Sequence, residues 1–135
     1  MTRYLIDSSI WIPILRGDRT LRDRLRQLPA GPEALLTCGP IQAELIAGLT
    51  TRNADAIYAI CRGLACLSLP SVDSFIHAGE LKARARQKGR PVRGIADCLI
   101  AVIAAAHVGV VLIHRDQDFT TLASLMNLDA DHWSS

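Results

Sequence analysis

Four acidic residues, Asp7, Glu44, Asp97 and Asp116, stand at the ends of apolar segments or inside them, far apart in a chain of 135 residues. Asp7 closes the strand-like run Tyr4-Leu5-Ile6, and Asp116 follows Val110 to Ile113. Glu44 interrupts Ile41 to Leu49, and Asp97 opens the apolar stretch Cys98 to Ala106. Side chains at such points can converge at one edge of a sheet. Converging carboxylates repel one another unless a cation neutralises them, so the pattern points to a hard divalent metal held by oxygen.

Each acid also has an ordinary explanation. Asp7 could cap the helix that follows it, as could Ser8 or Ser9. Asp97 could favour the positive end of its own helix. Asp116 and Asp118, in His114-Arg115-Asp116-Gln117-Asp118-Phe119, could start a turn or cap a last helix. Glu44 is harder to explain so, because Ala43, Leu45, Ile46 and Ala47 surround it and a partly buried carboxylate needs a partner.

The elements that must position these groups alternate along the chain. Strands are expected at Tyr4 to Ile6, Leu35 to Cys38, Cys66 to Leu69 and Val110 to Ile113. Between them fall helices at Ser9 to Arg16, Thr20 to Leu28, Pro40 to about Gly48, Ala54 to Leu64 and Val72 to Lys88. Gly89 to Gly94 is expected as a loop before a further, buried helix, and a short helix runs from Thr120 to Leu125. Such alternation argues for an α/β fold, a parallel sheet flanked by helices, with residues 1–135 forming one domain. Ligands of such sheets bind beyond the carboxyl ends of the strands, where Asp7 and Asp116 fall.

Composition narrows the class. Half the residues are hydrophobic, 21% are charged and the formal net charge is +2, a balance too mild to identify a nucleic-acid binder. Cys38, Cys61, Cys66 and Cys98 form no CxxC pair, which disfavours zinc and suggests small core residues in a reducing compartment. Arg3 and the short apolar run after it do not make a secretory signal, so a cytoplasmic protein is expected. The uncharged run Cys98 to Ile113 is broken by His107 and Gly109 into a helix and a strand, so no membrane span is expected. No GxGxxG, P-loop or serine nucleophile elbow is present.

Taken in order, Asp7-Ser8-Ser9, Ala43-Glu44-Leu45, Asp97-Cys98-Leu99-Ile100-Ala101 and His114-Arg115-Asp116-Gln117-Asp118-Phe119 resemble the motifs of PIN-domain ribonucleases. The VapC toxins of bacterial toxin-antitoxin pairs are the nearest likeness. The resemblance covers nearly the whole chain. It implies a metal-dependent endoribonuclease with Asp7, Glu44, Asp97 and Asp116 as an acidic quartet, Asp118 as an additional acid and Ser9 as polar support. It implies Mg²⁺ or Mn²⁺ as cofactor, a VapB-like antitoxin as partner and a homodimer. Pro13 in the first helix and His114, where Thr or Ser is commoner, depart from the usual pattern.

The chemistry fits the ligands. Phosphodiester cleavage develops negative charge that an oxygen-ligated cation can stabilise. RNA would be repelled by an unneutralised quartet, so cations outside it are expected. Lys82, Arg84, Arg86, Lys88, Arg90 and Arg93 precede Asp97, with Arg84, Arg86, Arg90 and Arg93 as the RNA-binding candidates, although a solvated helix face has the same composition. Arg16, Arg19, Arg22, Arg24 and Arg26 are diluted by Asp18 and Asp23 and fit a solvated face better. Two other readings stand beside the nuclease. One is a non-catalytic RNA-binding or interaction module of the same fold. The other, an aspartyl-phosphate phosphatase, is disfavoured because Asp7-Ser8-Ser9 lacks the second acid of Asp-x-Asp.

Overall fold

Three consecutive residues of the first strand, Tyr4, Leu5 and Ile6, are all buried. Successive strand side chains point to opposite faces, so both faces of this strand are covered. The structure, a computed structural model, describes residues 1–134. The strand, β1 (Arg3–Ile6), lies at the centre of a five-stranded sheet with β2 (Leu35–Cys38), β3 (Ala65–Leu67), β4 (Val110–His114) and β5 (Ala130–His132). The order is β3-β2-β1-β4-β5 and every pairing is parallel.

The helices that make the crossovers are α1 (Ser8–Leu15), α2 (Arg19–Arg26), α3 (Gly39–Ala47), α4 (Ala54–Gly63), α5 (Asp73–Gln87), α6 (Ile95–Ala105) and α7 (Gln117–Ala123). Helix α6 is buried almost all round, through Cys98 and Ile100 to Ala104, which is why its sequence lacks a polar stripe. Helix α5 buries Ala78, Leu81 and Ala85, at helical spacing, and packs on α6. Its C-cap is Lys88, and Gly89 follows at φ 74°, a left-handed conformation that an L side chain adopts only at a cost.

Sequence and structure differ at several ends. Helix α7 starts at Gln117 rather than Thr120 because the Asp116 side chain accepts from the Asp118 N–H and caps it earlier. Helix α6 starts at Ile95, directly after the expected loop Gly89 to Gly94, and so carries Asp97 inside its first turn. The 3-10 turn Pro32–Ala34 and strand β5 have no counterpart among the elements expected from periodicity. Pro13 stays within α1, which ends two residues later. The cysteines are free, as expected, but only Cys38 and Cys98 are buried; Cys61 is half-buried and Cys66 exposed, so those two are not core residues. Leu45 and Ile57 belong to the core, with Leu49 and Ile60 packed against it. Among the described residues no helix is long and apolar enough to cross a membrane.

Candidate metal centre

Strand order reverses at β1. The chain builds outward from it to β2 and β3, then returns to its other side with β4. At such a switch point the loops after neighbouring strands diverge and leave a crevice beyond the carboxyl ends. Asp7 follows β1 there, and its N–H donates to the Ile113 carbonyl of β4 at 3.0 Å. Asp116 follows β4. The backbone alone therefore brings together two acids 109 positions apart in the chain.

Asp7 caps α1, with Oδ2 accepting from the Ser9 N–H at 3.0 Å and the Ser9 hydroxyl at 2.6 Å. Its other oxygen, Oδ1, is buried with no hydrogen-bond partner among the described residues. Ser9 Oγ also accepts from the Arg115 N–H at 2.9 Å, so one hydroxyl ties the end of β1 to the end of β4. Glu44, in α3, is half-buried and accepts from the Ser8 hydroxyl at 3.3 Å, the partner its apolar setting requires. Asp97, Asp116 and Asp118 each offer an oxygen within 4.8 Å of the others.

The electrostatics follow from crowding. Burial pushes the carboxyls of Asp7, Glu44 and Asp97 up, and the charges of neighbouring acids push each further. For Asp97 the result is about 7, with Asp116, Asp7, Glu44 and Asp118 all contributing. Glu44 feels Asp7 and Asp116. The five acids act on one another electrostatically, and among the described residues Asp97, Asp116 and Asp118 form the group within mutual ligand distance. An all-oxygen donor set with an orphaned buried oxygen and raised carboxyls fits a hard divalent cation.

The PIN domain family matches residues 4–125, which span β1 to the end of α7 and carry every acid of this cluster. The chain belongs to the PIN-domain family. Its curated relatives include the VapC ribonuclease Mb1587 of Mycobacterium bovis and ribonuclease VapC11 of Mycobacterium tuberculosis. Each is 33% identical over 129 residues, covering 93% of this chain and 96% of the relative. Solved structures of the same fold include VapBC-1 of nontypeable Haemophilus influenzae, with a TM-score of 0.73 and 23% identity over 99% of this chain and 100% of that one. VapBC-5 of Mycobacterium tuberculosis gives 0.69 and 24%, covering 98% of this chain and all of the other.

Around the acids of this PIN domain the basic stretch divides into different roles. Lys82 Nζ donates to the Val92 carbonyl at 2.7 Å and latches the loop to α5. Arg84 and Arg86 are exposed in the last turn of α5. Arg90 is exposed in the loop and reaches Ser124 Oγ at 3.4 Å. Arg93 turns to the acids: Nη2 lies 3.2 Å from Asp116 Oδ1 and Nε 3.3 Å from Asp118 Oδ2. Its own pKa is raised, first by the hydrogen bond to Asp118 and then by Asp116. Arg93 stands out in the sequence for its charge, but its pairing with these acids has no local signal.

His114 is buried, and its pKa is pushed down to about 4 by burial and by His132. The ring is neutral, and Nδ1 accepts from the Asp116 N–H at 3.2 Å, which leaves the proton on Nε2. This histidine shapes the turn that presents Asp116, a role its strand-end position only hinted at. Ser8 and Arg115 carry no signal of their own in the sequence. Both act through their place in the fold, Ser8 beneath Glu44 and Arg115 between Ser9 and the Trp133 carbonyl.

Proposed function

We propose that this protein is a divalent-metal-dependent endoribonuclease, the toxin of a toxin-antitoxin pair. The observation that carries this reading is the convergence of Asp7, Glu44, Asp97, Asp116 and Asp118 at the switch point with Asp7 Oδ1 unpartnered. The 33% identity to VapC ribonucleases gives the direction of the chemistry.

Asp7, Glu44, Asp97 and Asp116 would hold Mg²⁺ or Mn²⁺, with Asp118 beside them. When bound, such an ion supplies positive charge against the developing negative charge of the phosphate and acidifies water. The chain's own groups do the rest. Ser9 holds Asp7 Oδ2, so that Oδ1 stays free for the site. Ser8 orients Glu44. Asp97, its carboxyl raised to about 7 by burial and the neighbouring acids, would give up its proton more readily once a cation neutralised the cluster. Arg84, Arg86, Arg90 and Arg93 would steer and hold RNA phosphates at the rim.

The antitoxin belongs to the same reading. Solved structures of this fold include VapBC-1 and VapBC-5, the latter a member of the VapBC family of toxin-antitoxin systems. Ala43, Ile46 and Ala47 of α3 are exposed on the helix that carries Glu44, an apolar stripe suited to a partner beside the acids. A cytoplasmic homodimer completes the proposal.

The test is cleavage of total RNA by the purified protein with the ends mapped. Mg²⁺ or Mn²⁺ should support cleavage and EDTA should stop it. Full activity in excess EDTA overturns the mechanism, and RNA binding without cleavage under any metal points to the non-catalytic module.

A further inference from the structure

Arg93 is a cation of the chain's own within reach of the metal centre. Its guanidinium contacts Asp116 and Asp118 while its side chain remains 81% exposed. The same two carboxylates lie with Asp97 in the group whose oxygens fall within 4.8 Å of one another. A guanidinium and a divalent ion would therefore compete for the same two carboxylates.

We propose that Arg93 is an internal counter-ion that a divalent cation must displace from Asp116 and Asp118, and that this displacement frees the guanidinium at the rim for an RNA phosphate. The inference rests on the metal-dependent reading above and adds an exchange step to it. An exposed ion pair is weak, whereas a multiply charged ion gains from several carboxylates at once, so the exchange runs toward the metal. The released guanidinium is a planar fork that matches two phosphate oxygens, a use its present contacts deny it. Arg93 is thus a positioning residue in the ion-free state and a substrate-binding residue in the loaded one.

The side chain can be removed without dismantling its surroundings. The Arg93 backbone N–H donates to Asp118 Oδ2 at 3.1 Å whatever the side chain, and Lys82 holds the loop through Val92. Arg90, in the same loop, bonds to Ser124 rather than to an acid and serves as a control of equal charge.

Mn²⁺ binding to the purified full chain, followed by the paramagnetic resonance of free Mn²⁺ at fixed pH and ionic strength, gives the readout without any cleavage. Arg93→Ala and Arg93→Gln should bind Mn²⁺ about three- to tenfold more tightly than the parent, the range expected for losing one or two exposed pairs. Arg93→Lys should fall between, and Arg90→Ala should match the parent. With a cleavage-resistant phosphorothioate RNA, Arg93→Ala should lose more affinity in the Mn²⁺-loaded protein than in the ion-free one. Equal or weaker Mn²⁺ binding by both neutral variants overturns the exchange. A parent protein that takes up no Mn²⁺ overturns the metal reading itself, so the two failures are told apart.

Discussion

In Asp7 the cap and the proposed ligand role do not exclude one another, since a carboxylate has two oxygens. Oδ2 caps α1 through Ser9, and Oδ1 is left for the site. Asparagine caps as well as aspartate does, so Asp7→Asn should keep the fold and abolish cleavage. Asp7→Ala should lose about 1 kcal/mol more stability than Asp7→Asn, read by urea denaturation of the ion-free proteins. Equal stability of the two variants would mean that Asp7 does not stabilise α1 as a cap.

Asp97 gives the sharper test. Its carboxyl is raised from 3.8 to about 7, so the folded protein binds a proton more tightly than the unfolded chain does in that interval. By linkage this contribution to stability is present at low pH and is lost as pH rises through the interval. Melts of the ion-free parent should therefore weaken toward neutral pH, and Asp97→Asn should flatten that slope while preserving or raising stability at neutral pH. The variant should also lose cleavage and most of its Mn²⁺-induced rise in Tm. In the parent the gain reaches about 2.7 kcal/mol when free metal is some 100 times its Kd. An active Asp97→Asn protein with an unchanged metal shift would take Asp97 out of the site.

At the scale of elements, the end of α5 and the loop to α6 do two jobs with similar residues. Lys82 is spent on the loop and Arg93 on the acids, whereas Arg84, Arg86 and Arg90 are left exposed. Replacing those three with Ala should weaken RNA binding and lower the slope of log K against log salt by about 0.7 for each phosphate no longer neutralised. Metal binding should be nearly unchanged. Filter binding over a salt series checks this, and an unaltered affinity and slope would return the stretch to a solvated helix face.

At the scale of the molecule, the sheet's last strand supports the centre from outside the residues that the family match covers. Trp133 is 2% exposed; its backbone N–H donates to the His114 carbonyl at 2.7 Å and its carbonyl accepts from Arg115 Nε at 2.9 Å. The guanidinium of Arg24 lies over its ring at 4.4 Å. The tryptophan therefore pins β4 just before Asp116. Trp133→Ala should cost about 3 kcal/mol or more by urea denaturation, as large-to-small changes of a buried aromatic do. Cleavage should fall in the folded variant as well, because the turn that presents Asp116 loses its backing. Full activity of the folded variant would limit Trp133 to stability.

Periodicity determined most of the elements. The apolar runs at Tyr4 to Ile6 and Val110 to Ile113 and the helical spacing of α5 are local signals, and local signals survive in a sequence. So does the order of the acidic motifs, because carboxylates in apolar settings are rare enough to be noticed. Strand β5 was invisible because Ala-Asp-His has no strand preference, and its pairing with β4 together with the burial of Trp133 holds it in the sheet. The mixed exposure of the cysteines was invisible for a similar reason, since burial at Cys61 and Cys66 depends on what packs nearby. Only the tertiary structure decided which acids share ligand distance, which oxygen of Asp7 stays unpaired and that Arg93 faces Asp116 and Asp118. Those pairings join positions far apart in the chain, and the parallel sheet that brings them together is the product of the whole sequence.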